Sequence, residues 1–281
     1  MRLAKRVAAV AVPVGLVVGG GAYGVAHHSS SSADKTLGQC RTKVDGLTVV
    51  LTDEQARNAS LIAAIAVRRG MPAHAVTIAL ATALQESKLY DLRGGDRDSL
   101  GLFQQRPSQG WGTRQQILDP VYATNAFYDA LERVPGWETL AVTKAAQEVQ
   151  HSGFPEAYAA YEGDARALAS ALTGFSPAAF SCHLSAPDSP QQTSVQRATV
   201  LRRALLPGFG QVGVAVGSDG RVELTAGTVP RGWAVASYLV ARAQILGIST
   251  VAYRGREWTA GSTQGWQHGP SGSATDSVVV G

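Results

Sequence analysis

Three observations predict the fold class: a mainly α domain plus a small α+β C-terminal domain, behind one N-terminal transmembrane or signal helix. Apolar residues recur at helical spacing between capped ends over residues 52–172. After residue 196 the pattern changes to short alternating apolar runs with turn signals. Near the start, an uncharged run follows three basic residues. The domain boundaries that follow are 1–26 for the apolar helix, 27–39 for a linker, 40–182 for the helical domain, 183–196 for a second linker and 197–281 for the small domain.

The first element carries Arg2, Lys5 and Arg6, and residues 7–26 hold no charge. That is about 20 residues, enough for one bilayer crossing, with the basic end kept in the cytoplasm. Gly15, Gly19, Gly20, Gly21 and Gly24 disfavour a buried soluble helix. Gly24 and Ala26 leave open a small-residue cleavage site, so signal anchor and signal peptide both remain. Either way the rest of the chain is expected outside the cytoplasm, membrane-anchored or secreted. Residues 27–39 are serine-rich and read as a tether. The two cysteines, Cys40 and Cys182, bracket one domain, and an even count in an exported chain favours a disulfide. The net charge of +4 over 281 residues is spread out, so no nucleic-acid partner is expected, and it suits an anionic envelope.

Thr52 to Gln55 has capping-box spacing, and the helix it opens runs through Leu61, Ile62 and Ile65 to Arg69, stopped by Gly70. Pro72 starts a second helix whose Val76, Leu80, Ala83 and Leu84 face a core. That helix delivers Glu86 at its end. Residues 91–99 are a Gly- and Asp-rich loop, 101–105 a short turn, and Asp119-Pro120 opens another helix closed by Val134-Pro135-Gly136. Residues 139–150 and 155–172 read as two more helices. In the small domain, residues 212–216 and 222–226 form a hairpin around Ser218-Asp219-Gly220 and 233–246 a helix. Residues 248–253 form a strand, and 277–280 an added edge.

Glu86 is a lone carboxylate at the end of an apolar helix, facing a glycine- and amide-rich turn. A glycosidic bond needs a proton on its leaving oxygen, and an apolar wall helps a general acid keep one near neutral pH. Asp96 or Asp98 is a possible second carboxylate; the plain alternative for both is turn chemistry beside glycine. Gln104, Gln105 and Trp111 are candidate sugar contacts through amide hydrogen bonds and ring stacking. His74 and His151 each stand alone, so no metal site and no cofactor is expected.

The ordered set Glu86-Ser87, Ser99-Leu100-Gly101-Leu102-Phe103-Gln104 and Asp119-Pro120 with its helix resembles the lysozyme-like fold of soluble lytic transglycosylases and goose-type lysozymes, over about residues 52–172. The resemblance implies that Glu86 is the catalytic acid. It also implies that Ser87, Ser99 and Gly101 to Gln104, with Phe103 in the usual Met place, lie at the sugar cleft. Members of that family commonly carry Ala-Tyr-Asn-Ala-Gly in a later helix, where the Tyr supports the Glu. Here the nearest counterpart, residues 145–150, has neither Tyr nor Asn, and Gln147 or Gln150 is the substitute amide. With Glu86 alone, the resemblance implies anhydro-ring closure. With Asp96 or Asp98 across the cleft, water could be activated over a carboxylate spacing of ~6.5 to 9.5 Å.

Residues 232–247, Val251-Ala252-Tyr253, Trp258 and 276–280 resemble the D-alanyl-D-alanine carboxypeptidase-like zinc domains of cell-wall proteins, but Ser277 and Val279 occupy the two terminal His places. The module is therefore expected to bind or pack without zinc, with Trp258, Trp266 and His268 as its contacts. The expected function is exported cleavage of the β-1,4 bond between N-acetylmuramic acid and N-acetylglucosamine. The alternative is a non-catalytic module that binds the wall glycan. Expected partners are peptidoglycan strands and, if the first segment is uncleaved, the membrane; the chain is expected to be a monomer.

Overall fold

The computed structural model describes residues 36–152, 156–186, 192–269 and 276–281. Strand β1 (Gln39–Val44) turns at Asp45-Gly46 into β2 (Leu47–Thr52), and the two turn residues, at φ 50° and 80°, give the left-handed pair that a two-residue hairpin needs. Cys40 and Thr42 on β1 and Val49 and Leu51 on β2 are buried, and they pair across the ladder. On the other side of β1 lies β3 (Phe180–His183), which sets Cys182 directly opposite Cys40, and the two form a disulfide. This pairing fits an oxidising environment.

The helices of the first part are α1 (Asp53–Arg69), α2 (Ala73–Ser87), α3 (Arg114–Ile117), α4 (Pro120–Leu131), α5 (Val142–Gln150) and α6 (Glu162–Leu172), with a 3-10 turn over Ala157–Tyr161 leading into the last. Their ends follow the local chemistry. Thr52 and Gln55 complete a capping box on α1, Gly70 closes it at φ 70°, and Asp119 caps α4 through the Val121 amide.

The second part comprises α7 (Ser194–Phe209), β4 (Gly213–Val216), β5 (Val222–Thr225), α8 (Val229–Val240), α9 (Ala243–Leu246), β6 (Thr250–Tyr253), β7 (Arg256–Thr259), β8 (Gln267–His268) and β9 (Ser277–Val280). Its antiparallel sheet has the order β4-β5-β9-β6-β7-β8. Helices α7 and α8 pack on α1, and one apolar core runs through both parts.

The expected fold class is corrected. The chain is 47% helix and 17% strand, with antiparallel sheets of three and six strands. Residues 39–52 add a hairpin ahead of the helices, since the alternation of buried residues matches the Asp45-Gly46 turn. Residues 277–280 are no edge: β9 sits between β5 and β6, where Val278 and Val280 are fully buried. The second linker is shorter than expected, since β3 reaches His183 and α7 starts at Ser194. No helix among the described residues is long and apolar enough to cross a membrane, and the expected N-terminal membrane or signal helix lies outside them.

The second part is tied to the first by side chains as well as by its core. Buried Arg242 donates to Ser60 Oγ at 2.7 Å and to Arg57 O at 2.9 Å, with the Tyr238 ring 3.5 Å away. Trp258 and Trp266, expected as surface contacts, are buried and donate through their indole nitrogens to Cys182 O and Phe180 O on β3, at 2.9 and 2.7 Å. His268 stays exposed on β8.

The bond between Cys40 and Cys182 closes a loop with a sequence separation of 142 residues. Chain entropy sets its contribution at up to about 5 kcal/mol, less whatever structure the reduced unfolded chain keeps. Replacing both cysteines by alanine, or adding reductant, lowers the urea midpoint followed by tryptophan fluorescence. An unchanged midpoint would show that the two strands hold without the bond.

Candidate active site

Glu86 occupies the last turn of α2 and is half-buried. The chain then makes an unusual exit: Lys88 and Leu89 both take left-handed conformations, at φ 56° and 64°. Two such residues without glycine cost on the order of 1–3 kcal/mol each. The surroundings hold them there. Gln55 Nε2 donates to Lys88 O and Asn58 Nδ2 to Leu89 O, both at 2.8 Å, and Leu89 is fully buried. Both amides come from α1, so α1 dictates where α2 ends and where Glu86 stands.

Tyr158, fully buried in the 3-10 turn, donates from its hydroxyl to Glu86 Oε1 at 2.8 Å. Burial first, then the neighbouring Glu86 charge and this hydrogen bond, push the phenol well above its usual range, while a hydrogen bond with Ser152 works the other way. Tyr158 therefore keeps its proton as a donor. Glu86 Oε2 has no protein partner among the described residues. One oxygen is held and the other is available to carry a proton.

The turn after the 91–99 loop is locked to α2. Ser87 Oγ, itself buried, reaches Leu102 O at 2.7 Å, and Leu100 and Gln105 exchange backbone hydrogen bonds at 2.9 and 3.0 Å. Gly101 is required: at φ 72°, a Cβ there would lie 2.6 Å from Ile117 O. Ser99 is buried against this turn. Gln104 folds back to Gly101 O at 3.2 Å, and its Oε1 lies 1.7 Å from where a Cβ on Gly95 would stand, so Gly95 admits it. Phe103 and Gln105 point inward. Phe103 stacks on Phe127 at 4.5 Å, fully buried, and buried Gln105 donates to Ala123 O at 3.2 Å.

Among the remaining expected residues, Gln150 donates to Phe103 O at 2.7 Å and Gln147 to Ser152 O at 2.8 Å, so these two amides brace the turn and the Tyr158 partner. Trp111 is half-buried at the edge of a cleft of about 860 Å³ that Gln150 and His151 also line. Glu86 is not among the residues lining that cleft; Gln150, which lines it, bonds to Phe103 O in the turn that Ser87 holds to α2. Asp98 is engaged elsewhere. It accepts from Arg106 Nε at 2.7 Å and from Ser108 N and Oγ at 2.8 and 3.0 Å, which holds its carboxyl below the usual range. The Asp96 side chain is 93% exposed, with only Arg97 nearby at 3.9 Å. Among the described residues no contact brings either aspartate to Glu86. His74 bonds to Leu140 O and stacks on Trp137, and exposed His151 caps α5. Among the described residues no group of three or more His, Cys, Asp or Glu side chains could hold a metal ion.

Sequence reasoning sought the supporting Tyr inside residues 145–150 and missed Tyr158. The signal was present as Ala157-Tyr158-Ala159-Ala160, one segment later. It also missed Asp91, whose Oδ1 is buried without a partner. Burial, with Glu54 and Asp119 adding repulsion and Arg93 opposing, raises Asp91 to about 6. The neutral form is thus favoured in the folded state, which binds more protons than the unfolded chain between the ordinary value of 3.8 and about 6. Stability consequently falls as pH rises through that window and stays reduced above it. Asp91→Asn should remove the decline, stabilising the protein at pH 7 and leaving it unchanged below pH ~4. Urea unfolding at several pH values checks this; a parallel pH profile for both proteins would refute it.

No family model matches the chain, and no curated protein matches it.

Proposed function

We propose that the chain is an exported peptidoglycan-cleaving enzyme that breaks the β-1,4 bond between N-acetylmuramic acid and N-acetylglucosamine. Glu86 acts first as general acid, then as base. The observation that carries this reading is the Tyr158 hydroxyl 2.8 Å from Glu86 Oε1, at a helix end locked to the 100–105 turn. A buried phenol with a high affinity for its own proton fixes the carboxyl group and leaves Oε2 to deliver and retrieve a proton. The order of motifs, with its resemblance to soluble lytic transglycosylases, supplies the substrate class.

The chemistry needs one carboxyl group. Glu86 gives its proton to the leaving oxygen as the bond to the muramyl C1 breaks and the substrate's N-acetyl oxygen takes up C1. The resulting carboxylate then accepts the proton of the muramyl 6-hydroxyl while that oxygen closes the anhydro ring and displaces the N-acetyl oxygen. Inverting hydrolysis would call for a second carboxylate, and the engagement of Asp98 with Arg106 and Ser108 argues against that route. Export to the cell wall, anchored or released, is part of the same reading and agrees with the Cys40–Cys182 disulfide. A second reading, glycan binding without cleavage, is favoured by one observation: Glu86 does not line the 860 Å³ cleft.

Purified full-length protein in mild detergent, incubated with peptidoglycan, should release fragments with anhydromuramyl ends by mass spectrometry. Glu86→Gln should abolish release while keeping the fold. Tyr158→Phe should lower kcat by roughly 10-fold or more, the loss of one hydrogen bond to a charged group. Release that persists in a folded Glu86→Gln protein defeats the enzyme reading. Absence of fragments from the wild type, with retention on the insoluble wall, supports the binding reading.

A further inference from the structure

The 860 Å³ cleft lies within the range of about 300–1,000 Å³ that small-ligand pockets occupy. Its lining comes from α4, α5 and the segment between them, and from the turn after Arg106. That turn is prearranged. Gly110, at φ 82°, closes the 3-10 turn over Pro107–Gln109, and Gly112, at φ 129°, lets Tyr122 approach so closely that a Cβ would stand 2.6 Å from its hydroxyl. The half-buried Trp111 and Tyr122 rings therefore form a preset aromatic end.

The charges along the cleft are of both signs. Asp129 is engaged by Arg69 at 2.7 Å. Arg133 and Glu148 are different: both are exposed and line the cleft, and neither has a side-chain partner among the described residues. Exposed opposite charges that do not pair with each other are free to pair with a ligand that brings both signs. A neutral sugar chain can hydrogen-bond to both groups but neutralises neither charge.

We propose that this cleft is a peptide site, taking a short peptide that carries both a carboxylate and a free side-chain ammonium. Arg133 binds the carboxylate, Glu148 the ammonium, and Trp111 and Tyr122 pack against the backbone and methylenes between them. The inference rests on the peptidoglycan reading for its natural ligand, the peptide stem on the glycan. Gln150 lines the cleft and bonds to Phe103 O, which places the stem's site beside the turn that is locked to the Glu86 helix.

The test is calorimetric titration of full-length protein in mild detergent with N-acetyl-alanyl-γ-glutamyl-lysyl-alanine, which has carboxylates and one ammonium. Saturable binding is expected. Arg133→Gln and Glu148→Gln, both at exposed positions, should each weaken it roughly fivefold, the upper end of what one exposed ion pair contributes. Acetylating the lysyl amine should remove the dependence on Glu148 and keep that on Arg133. Absence of binding, or equal binding by both variants, overturns the proposal. So does a peptide-free chitotetraose that binds in a Trp111-dependent way while the peptide does not. The catalytic reading is judged separately: Glu86→Gln should bind the peptide as the wild type does. A wild type that binds the peptide but releases no fragments fails the catalytic reading alone; a wild type that releases fragments in a Glu86-dependent way but does not bind the peptide fails the peptide site alone.

Discussion

The structure depends on how closely other elements approach α1. Its buried positions include Ala56, Ala59, Ala63, Ala64 and Ala66, which leave little side chain between the helix axis and its neighbours. On one side this admits α7, where Gly208 comes so near that a Cβ would stand 2.8 Å from the Ala64 Cβ. On others it admits α2, α4, α6 and α8. A larger residue at any of these alanines would force off-rotamer side chains in a close-packed interior. The same helix carries Gln55 and Asn58, which catch the strained exit of α2, and Ser60, which receives Arg242 from the second part. The position of Glu86 is thus set by α1 as much as by its own helix.

Strain at Lys88 and Leu89 makes sense in that setting. One left-handed residue is enough to close a helix, as Gly70 does on α1. Here the left-handed pair turns the chain sharply, buries Leu89, and leaves the Glu86 carboxyl between α2 and the 3-10 turn that bears Tyr158. The cost of strained backbone is offset by two amide hydrogen bonds and one buried leucine. Lys88 adds a further tie, with its ammonium 4.3 Å from the Tyr161 ring centroid. Tyr158 and Tyr161 are three residues apart on a 3-10 turn, so they share a face, and both are held by the residues around Glu86.

Much of the helical part was legible because helices announce their ends locally. Thr52 and Gln55, Gly70, and Asp119-Pro120 each mark a boundary that the structure keeps within a residue or so. Strand pairing is not local. The two cysteines announced that Cys40 and Cys182 would meet, yet nothing near Thr42 says that it faces Phe180 on a third strand far along the chain. For β9 the difficulty was the same: four residues at the end of the chain read as an edge, and only the partners on both sides make it interior. At the site, Glu86 and its turn could be found because their motifs are contiguous. Tyr158 could not be found that way, since it arrives from a separate segment and is recognised by the atom it touches. Phe103 and Gln105 lie in a motif associated with sugar clefts, but the tight turn at Gly101 sends their side chains into the core, and only Gln104 among the three stays near the surface.

The separation between Glu86 and the 860 Å³ cleft carries its own logic on the reading proposed above. A glycan strand with peptide stems presents its scissile bond and its charges at different places, so an enzyme that uses both needs two sites at a fixed spacing. Gln150 and Gln147 supply that spacing. They leave α5 in adjacent turns, one fixing the Phe103 carbonyl beside Ser87 and the other fixing Ser152, the partner of Tyr158. Gln150 thereby couples the wall of the cleft to the turn held by Ser87, and Gln147 couples α5 to Ser152, the partner of Tyr158. A shift of α5 would move Glu148 relative to Arg133 and, through the Gln147 bond to Ser152, disturb the contact with Tyr158. Binding energy gained along the cleft would then act on the geometry of the proton donor, which is how contacts remote from a reacting bond are turned to catalysis.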